Sequence, residues 1–323
     1  MISKRMLLAG LLAATVACFA NAQPAYPNKP IQVILPLAAG SSGDALLRVV
    51  LQQMSEGMGQ SFAIDNQPGA SGLIGADKVK RAAPDGYTLG GFSDSVLNYA
   101  PNLLPSAGFD PVKDFEPITL VSDISWVLVV HPSMPARTVN ELVALAKSAP
   151  GKLDYGSAGN GSPHHIVMEL FKSATRTAIT HIPYKGATPA TTDVVAGQIS
   201  LMFSGTSVAL PFIKEGKLRA LAVMSPQRST LLPDVPTMQE AGLKDFTFST
   251  WLGLYAPKGT PRPVIDKINT ELAKAIKVPR IHERLVSMGF DPGSSTPEEQ
   301  ATRTRAGFEK IRKVIQDAKI KAD

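Results

Sequence analysis

Short apolar runs alternate with helical patterns along most of the chain, from residue 31 to residue 260. Between the runs, apolar side chains recur on one helical face, as Leu142, Leu145 and Ala146 do within residues 138–149. This alternation predicts an α/β fold whose sheets are mainly parallel and are flanked by helices on both faces. The nine predicted strands are IQVILPL (31–37), SFAID (61–65), YTLGGFS (87–93), WVLVVHP (126–132), LDYGSA (153–158), AITHIPY (178–184), ISLMFSG (199–205), LRALAVMS (218–225) and STWLGLYAP (249–257).

Two changes in this rhythm divide the chain. Residues 101–117 carry four prolines and predict an ordered connection that leads into a second sheet. After residue 257 the pattern holds three helical stretches with no strand among them, which indicates that the chain returns to complete its first domain. We therefore predict a two-lobed clamp in which residues 23–122 and 252–323 form domain 1, residues 123–251 form domain 2, and a ligand cleft lies between them.

The N-terminus has the form of a secretory signal. Lys4 and Arg5 precede an apolar stretch over residues 6–20, and the small-x-small sequence that ends at Ala22 predicts cleavage after that residue. We therefore expect an exported, periplasmic protein whose mature domain contains no cysteine. The alternative is lipidation of Cys18, whose flanking residues fit a lipoprotein signal poorly.

Length and charge limit the classes of partner. About 300 mature residues favour two domains. The formal charge is +6, and removal of Lys4 and Arg5 leaves +4, because residues 1–22 contain no Asp or Glu. Basic residues are spread along the chain without interleaved aromatic residues, so we expect no nucleic-acid partner.

Two loops rich in Gly, Ala and Ser follow predicted strands and lead into predicted helices. The first is PLAAGSSGD (36–44), and the second is GSAGNGSPHH (156–165), in which Ser162 before Pro163 is a predicted helix N-cap. Ligands of open α/β sheets bind beyond the carboxyl ends of the strands. The first amides of a helix have no internal partner and carry partial positive charge, so such loops can hold an anion without a lysine or arginine.

The sequence gives little support for catalysis or metal binding. No serine lies in a Gly-x-Ser-x-Gly elbow, and there is no phosphate-binding loop of the Walker type. His165 and Glu169 share a helical face, but two ligands are too few for a metal site, so we expect no metal and no cofactor. A hydrolase that uses Ser162 and His165 is an alternative, whereas we favour His165 packing or hydrogen bonding beneath the second loop.

Other polar residues follow predicted strands and are candidates for the cleft. Ser93, Asp94 and Ser95 lie at the end of the third strand, Tyr184 and Lys185 at the end of the sixth, and Ser204 near the end of the seventh. Trp126 and Trp251 lie on the two strands that would cross between the domains, where we favour packing. The glycines of GASGLIG (69–75) lack the dinucleotide-binding spacing and predict a turn into a closely packed helix.

These segments resemble the Bug-type (TctC-like) solute-binding proteins of tripartite tricarboxylate transporters. The resemblance covers nearly the whole mature chain. Its motifs are PLAAGSSGD with Arg48, NQPGASGLIG (66–75), AAPDGYTL (82–89), DPVKDFEPI (110–118), HIPYKG (181–186), GKLRALAV (216–223), LPDVPTMQEAG (232–242) and WLGLYAPKGTP (251–261).

The resemblance implies a type II periplasmic-binding-protein clamp that closes on an organic carboxylate and delivers it to membrane permease subunits. One end of the ligand would meet the first loop and the other end the second loop, while Asp44 would fix the first loop. Ser93, Tyr184 and Lys185 would line the cleft. The implied first-loop contacts are Ala39, Gly40, Ser41, Ser42 and Gly43, and the implied second-loop contacts are Ala158, Gly159, Gly161, Ser162 and His165.

Two departures from the family pattern narrow the ligand class. Ser41 and Ser42 stand where relatives commonly have glycine, so their hydroxyls could replace waters or narrow the pocket. Many relatives carry an acidic residue at the position of Ser204. Because this chain lacks that acid, a plain carboxylate is a better candidate than an amino acid. We expect a dicarboxylate, aromatic ones such as terephthalate included, bound by a monomer. Presentation of the closed form to a membrane sensor kinase is an alternative that sequence does not separate from transport.

Overall fold

The computed structural model describes residues 26–104 and 107–317. Within these ranges the chain forms ten strands: β1 Ile31–Leu35, β2 Phe62–Asn66, β3 Thr88–Ser93, β4 Phe115–Val130, β5 Asp154–Ser157, β6 Thr180–Pro183, β7 Leu201–Gly205, β8 Arg219–Val223, β9 Ser249–Pro257 and β10 Phe290–Pro292. The α-helices are α1 Ser42–Met58, α2 Leu73–Lys80, α3 Ala100–Leu103, α4 Val139–Ser148, α5 Pro163–Thr175, α6 Ala187–Val195, α7 Thr206–Lys214, α8 Arg262–Lys277, α9 Pro279–Ser287 and α10 Pro297–Asp317.

The strands follow the order β2-β1-β3-β9-β4-β7-β5-β6, with β8 and β10 also pairing with β4. Pairing is parallel in β2-β1-β3 and in β6-β5-β7, where helices connect successive strands. Every pair that includes β4 or β9 is antiparallel. The predicted α/β fold with helix-connected parallel strands is confirmed, and β4 and β9 add antiparallel pairs that strand–helix alternation does not predict.

Strand β4 belongs to two groups of strands. Its residues from Phe115 to Ser125 pair with β9, and its residues from Trp126 to Val130 pair with β7 and β8. We call β1–β3, β9, β10 and the start of β4 the first strand group, and the end of β4 with β5–β8 the second strand group. The sequence prediction placed this strand at 126–132 and a connection at 101–117. Pro117 hid the earlier start, and it is tolerated because the pairing register shifts beside it.

The C-terminal part contains one strand that the sequence analysis did not predict. The three-residue strand β10 pairs with residues 122–124 of β4. A segment this short shows no alternation of apolar and polar side chains, so the pattern does not reveal it. The predicted domain boundaries, at 122/123 and 251/252, fall inside β4 and β9 and stay a prediction.

Each strand group has its own apolar core. In the first group, α1 and α8 pack on the sheet through residues such as Val50 and Leu272. In the second group, α4 and α5 bury Leu142 and Phe171 against β4 and β7. Trp126 is 4% exposed and donates through Nε1 to Thr250 Oγ1 at 2.9 Å, and Trp251 is 6% exposed in a core cluster of the first group, so both tryptophans pack as predicted.

The predicted signal sequence, with Cys18 and the cleavage position at Ala22, lies outside the described residues. Across residues 26–104 and 107–317, no helix combines the length and the apolar character that crossing a membrane requires.

Candidate functional site

The first loop joins β1 to α1 and is held in shape by Asp44. The backbone amide of Gly40 and the Nε of Arg48 donate to Oδ2 of Asp44, at 3.0 and 2.9 Å, and Asn66 Nδ2 donates to Oδ1 at 3.1 Å. Ser41 is the N-cap of α1, and its hydroxyl accepts from the amide of Asp44. Gly40 has a φ of +76°, which favours glycine. Asp44 thus fixes the loop, as the resemblance implied.

The charge of Asp44 is compensated within the loop. Burial opposes its ionisation, but hydrogen bonds from Arg48, Gly40 and Asn66 outweigh burial and lower its pKa. The guanidinium of Arg48 also donates to Oδ1 of Asn66 at 3.3 Å. Arg48 is therefore engaged with residues that support the loop.

Two amides at the start of α1 remain as donors. No described residue accepts a hydrogen bond from the backbone N–H of Ser42 or of Gly43. Both belong to the first turn of a 17-residue helix, where the dipole adds partial positive charge. This end of α1 can therefore bind an anionic oxygen.

The second loop joins β5 to α5 and begins its helix in the same way. Ser162 is the N-cap, its hydroxyl accepts from the amide of His165, and Pro163 occupies the first turn, as predicted. Gly159 and Gly161 have φ values of +115° and +73°. The amide of Ser162 donates to the carbonyl of Gly159 at 3.1 Å, which closes the loop into a tight turn.

Two histidines lie under the second loop. Nδ1 of His165 accepts from the amide of Gly161 at 3.1 Å, and the residue is 5% exposed. Nε2 of His181 lies 2.6 Å from Oγ of Ser157, which in turn accepts from the amide of Gly159 at 3.0 Å. The sequence analysis predicted the supporting position of His165 but missed His181 and Ser157. The available signal was that their strands are neighbours in a parallel sheet.

A turn of the second strand group lies between the two loops. A Cβ at Gly186 would stand 3.4 Å from Cβ of Ala38 in the first loop. A Cβ at Gly159 of the second loop would stand 3.2 Å from the carbonyl oxygen of Tyr184. The turn at residues 184–186 therefore lies close to both loops.

Ser71 makes another link to the second loop. Its hydroxyl donates to the carbonyl of Asn160 at 3.4 Å. Ser71 has a φ of +53° in a turn that leads into α2, and the glycines beside it pack closely, since a Cβ at Gly72 or Gly75 would stand within 3.1 Å of Pro36. The predicted tight turn is confirmed, and Ser71 is a residue that the sequence analysis missed.

Ser42 of the first loop reaches the second strand group. Its hydroxyl accepts from Oγ of Ser207 at 2.7 Å, and a Cβ at Gly205 would stand 2.9 Å from it. Ser204, the neighbouring residue at the end of β7, is fully buried. A cavity of about 560 Å3 lies on this side, lined by residues 40–42 of the first loop and by α6, α7 and α9. No residue of the second loop lines that cavity.

The remaining predicted cleft residues have differing surroundings. Oγ of Ser93 lies 2.7 Å from Oγ of Ser95. The phenol of Tyr184 donates to Oδ2 of Asp193 at 2.5 Å, and burial followed by this hydrogen bond raises the pKa of Tyr184 to about 12. Lys185 is exposed. Contact of these residues with a ligand stays a prediction.

Asp94, one of the candidates at the end of the third predicted strand, is a buried acid. It is 4% exposed, and burial raises its pKa well above the ordinary range, although the amides of Ser95 and Trp251 donate to it. It lies directly before a π-helical turn at Ser95–Tyr99. Such turns occur frequently at functional sites.

Ser162 and His165, the residues of the alternative hydrolase, both make structural hydrogen bonds in the second loop. The Ser162 hydroxyl caps α5, and Nδ1 of His165 holds the amide of Gly161. Nucleophilic catalysis needs the base directed at the nucleophile, so this geometry does not favour the hydrolase. In the described parts of the chain, no three His, Asp, Glu or Cys residues cluster in a way that could hold a metal ion.

Comparison with known proteins agrees with the resemblance seen in the motifs. Residues 46–320 match the model of the tripartite tricarboxylate transporter family receptor, TctC. The UPF0065 protein in the TAR-I ttuE-ttuC' intergenic region of Agrobacterium vitis is 37% identical over 96% of this chain and 91% of its own length. Protein BugT of Bordetella pertussis is 36% identical over 85% of this chain and 84% of its own length.

Solved structures share the fold along the chain. A periplasmic transporter superposes with a TM-score of 0.90 at 40% identity, covering 93% of this chain and 100% of the other. A protein of R. palustris with adipate superposes with a TM-score of 0.88 at 31% identity, covering 92% of this chain and 99% of the other. MatC from Rhodopseudomonas palustris with bound malate superposes with a TM-score of 0.85 at 30% identity, covering 90% of this chain and 100% of the other. The chain therefore belongs to the TctC family of tripartite tricarboxylate transporter receptors and has the fold of its Bug-type periplasmic binding proteins.

Proposed function

We propose that this protein binds a small dicarboxylate between its two loops and delivers it, without catalysis, to a tripartite tricarboxylate-type membrane transporter. The lobes of the clamp would be residues 23–122 with 252–323 and residues 123–251. The observation that carries the proposal is the pair of capped helix starts, α1 and α5, whose loops are bridged by the turn at residues 184–186.

The donors favour an anion held mainly by the main chain. Ser42 and Gly43 offer amides at a positive helix end, while the nearby Arg48 is engaged with Asp44 and Asn66. Removing a carboxylate from water costs several kcal/mol, so its oxygens need several donors at once. The start of α1 would supply donors to one end of the ligand, and the second loop would hold the other end.

The ligands of two relatives support a dicarboxylate. The structures with adipate and with malate come from proteins that superpose on about nine-tenths of this chain. The buried residue at the end of β7 is the uncharged Ser204, which offers no negative charge to an ammonium group. We therefore favour a plain dicarboxylate, aromatic or aliphatic, over an amino acid.

A thermal-shift screen against monocarboxylates and dicarboxylates, with adipate, malate and terephthalate included, tests the proposal. A ligand at 100 times its dissociation constant adds about 2.7 kcal/mol to the free energy of unfolding. We expect at least one dicarboxylate to raise Tm more than any monocarboxylate does. The absence of a shift with every carboxylate would contradict the proposal.

Substitution of Ser42 then tests the first loop. Ser42→Asp adds a negative charge at a helix position where acids are tolerated, so the fold should persist while carboxylate binding is abolished. Ser42→Asn is the matched neutral control, and calorimetry should detect binding to it. Equal affinity of the two variants would exclude the first loop as the anion site.

Three further expectations remain predictions. They are cleavage after Ala22, a monomeric state, and a sensor kinase as an alternative receiver of the closed form.

A further inference from the structure

The second loop rests on a stack of three rings. The imidazoles of His165 and His181 are parallel within 10°, with centroids 4.2 Å apart, and Tyr155 stacks on His181 at 4.8 Å. Each histidine is tied to the loop, since His165 accepts from the amide of Gly161 and His181 contacts Ser157. The loop therefore takes its shape from both imidazoles.

Glu169 and Lys172 lie beside the stack, and their charges partly cancel. Oε1 of Glu169 lies 4.0 Å from Nε2 of His165, and it also accepts from the phenol of Tyr155 at 2.8 Å and from Nζ of Lys172 at 2.6 Å. Nζ of Lys172 lies 5.7 Å from the centre of the Tyr155 ring. One carboxylate thus faces the stack, and a lysine already balances it.

Protonation of Nδ1 of His165 is incompatible with this arrangement. An imidazole nitrogen that accepts a hydrogen bond carries no proton, and a protonated one can only donate. A proton there removes the acceptor of the Gly161 amide. Charge on both rings would also place two positive groups face to face at 4.2 Å.

From this geometry we infer that His165 and His181 are positioning residues, and that the second loop holds its ligand only while Nδ1 of His165 is unprotonated. The inference rests on the proposed function, in which this loop contacts one end of the carboxylate. Protonation of His165 on acidification therefore weakens binding and favours release.

Two of the other three histidines help to assign the effect. Burial lowers the pKa of His164 to about 3, so this residue stays neutral throughout the range of interest. His282 is exposed on α9, and its backbone amide donates a hydrogen bond within the first turn of that helix. His282→Gln is therefore a matched control that removes an imidazole without touching the loop.

The first test follows dissociation constants by calorimetry from about pH 7.5 to about pH 5.5, with adipate and malate as probes. His165→Asn keeps an acceptor near the position of Nδ1 but does not titrate. Ligand protonation affects both proteins equally, so the ratio of their dissociation constants isolates the histidine. We expect the wild type to weaken about tenfold relative to His165→Asn at the acid end, the size of one lost hydrogen bond. His282→Gln should follow the wild type.

His181 has its own test. His181→Gln keeps a polar group near Nε2 for Ser157 and removes the second charge from the stack. We expect its loss of affinity to begin at a higher pH than in the wild type, because a charged His181 no longer opposes protonation of His165. An unchanged pH profile would show that His181 does not act through His165.

A second readout needs no ligand. The NMR signal of the Gly161 amide should shift with pH in the wild type and stay fixed in His165→Asn. If this amide titrates but neither probe nor any other carboxylate binds, the positioning role stands and the proposed function is wrong. If a carboxylate binds while the Gly161 amide is unchanged and the ratio of dissociation constants is flat, the inference is overturned.

Discussion

Two aspartates of the first strand group have opposite pKa shifts. Burial is the largest influence on both. Donors from Arg48, Gly40 and Asn66 outweigh it at Asp44, whereas Oδ1 of Asp94 has no hydrogen-bond partner among the described residues. Asp44 therefore stabilises the fold above the unfolded-state pKa of about 3.9 and loses that contribution as the pH falls through its lower folded pKa. The contribution of Asp94 to stability changes with pH in the opposite direction, because its folded pKa is higher than its unfolded pKa.

Replacement of Asp94 tests this sign. The folded wild type retains the Asp94 proton above the pH at which the unfolded chain releases it, so wild-type stability declines as the pH rises through that window. Asp94→Asn has no proton to lose. Denaturant titrations at about pH 4.5 and about pH 7.5 should therefore show the stability difference moving in favour of the variant at the higher pH.

The exposed residue Asp234 provides the control for that measurement. Asp234→Asn should change the free energy of unfolding little, and its difference from the wild type should not grow between the two pH values. A difference that is independent of pH for Asp94→Asn as well would show that Asp94 is ionised at both values, against the inferred shift.

At the scale of the element, the two loops are one local design used twice. In each case a strand ends, a glycine with positive φ turns the chain, and a serine caps the next helix. The cap Ser162 could be predicted because capping depends on residues within one turn of helix, and the role of Asp44 was implied by the family resemblance. Ser71 could not be predicted, because the tertiary fold brings it to its partner, and the contact of His181 with Ser157 depends on the pairing of β5 with β6.

Strands were predicted to the extent that their patterns are local. Strand β9 has the predicted bounds, while β4 begins earlier than predicted and β10 was missed. Proline in β4 and three-residue length in β10 remove the alternation on which the prediction rests. Antiparallel pairing of β4 and β9 depends on long connections, about which periodicity says nothing.

Gly159 tests whether the shape of the second loop matters for binding. Its φ of +115° is strained for any other residue, and a Cβ would stand 3.2 Å from the carbonyl oxygen of Tyr184. We expect Gly159→Ala to lower stability by roughly 1–2 kcal/mol and to weaken carboxylate binding, because the loop must shift. Melting curves and calorimetry measure the two effects.

Gly151 offers a matched control, because its φ is +73° and no atom would lie within 4 Å of an added Cβ. Gly151→Ala should lower stability by a similar amount and leave the dissociation constant unchanged. Equal affinities of the two variants would argue that the second loop does not contact the ligand.

At the scale of the whole molecule, the two strand groups meet at points beyond the shared strand β4. Ser42 accepts from Ser207, Ser71 donates to Asn160, and Ile166 of α5 joins a cluster with Tyr99 and Ile311. The segments that meet are far apart in the sequence, so no local pattern could reveal them. If the lobes move as a clamp, these contacts form on closure and favour the closed state.

Ser207 provides the test of that coupling. A ligand that binds the closed state shifts the balance by its differential affinity, and a contact made only in that state adds to the observed affinity. Removing one neutral hydrogen bond costs about 0.5–1.5 kcal/mol, so Ser207→Ala should weaken carboxylate binding about two- to tenfold, mainly through faster release. Ser148→Ala, at an exposed hydroxyl on α4, should bind as the wild type does.

Small-angle scattering tests closure directly. The ligand should reduce the radius of gyration of the wild type, and it should reduce that of Ser207→Ala only at a higher ligand concentration. A radius that ligand leaves unchanged would exclude closure, and wild-type affinity in Ser207→Ala would show that the Ser42–Ser207 contact is not part of it.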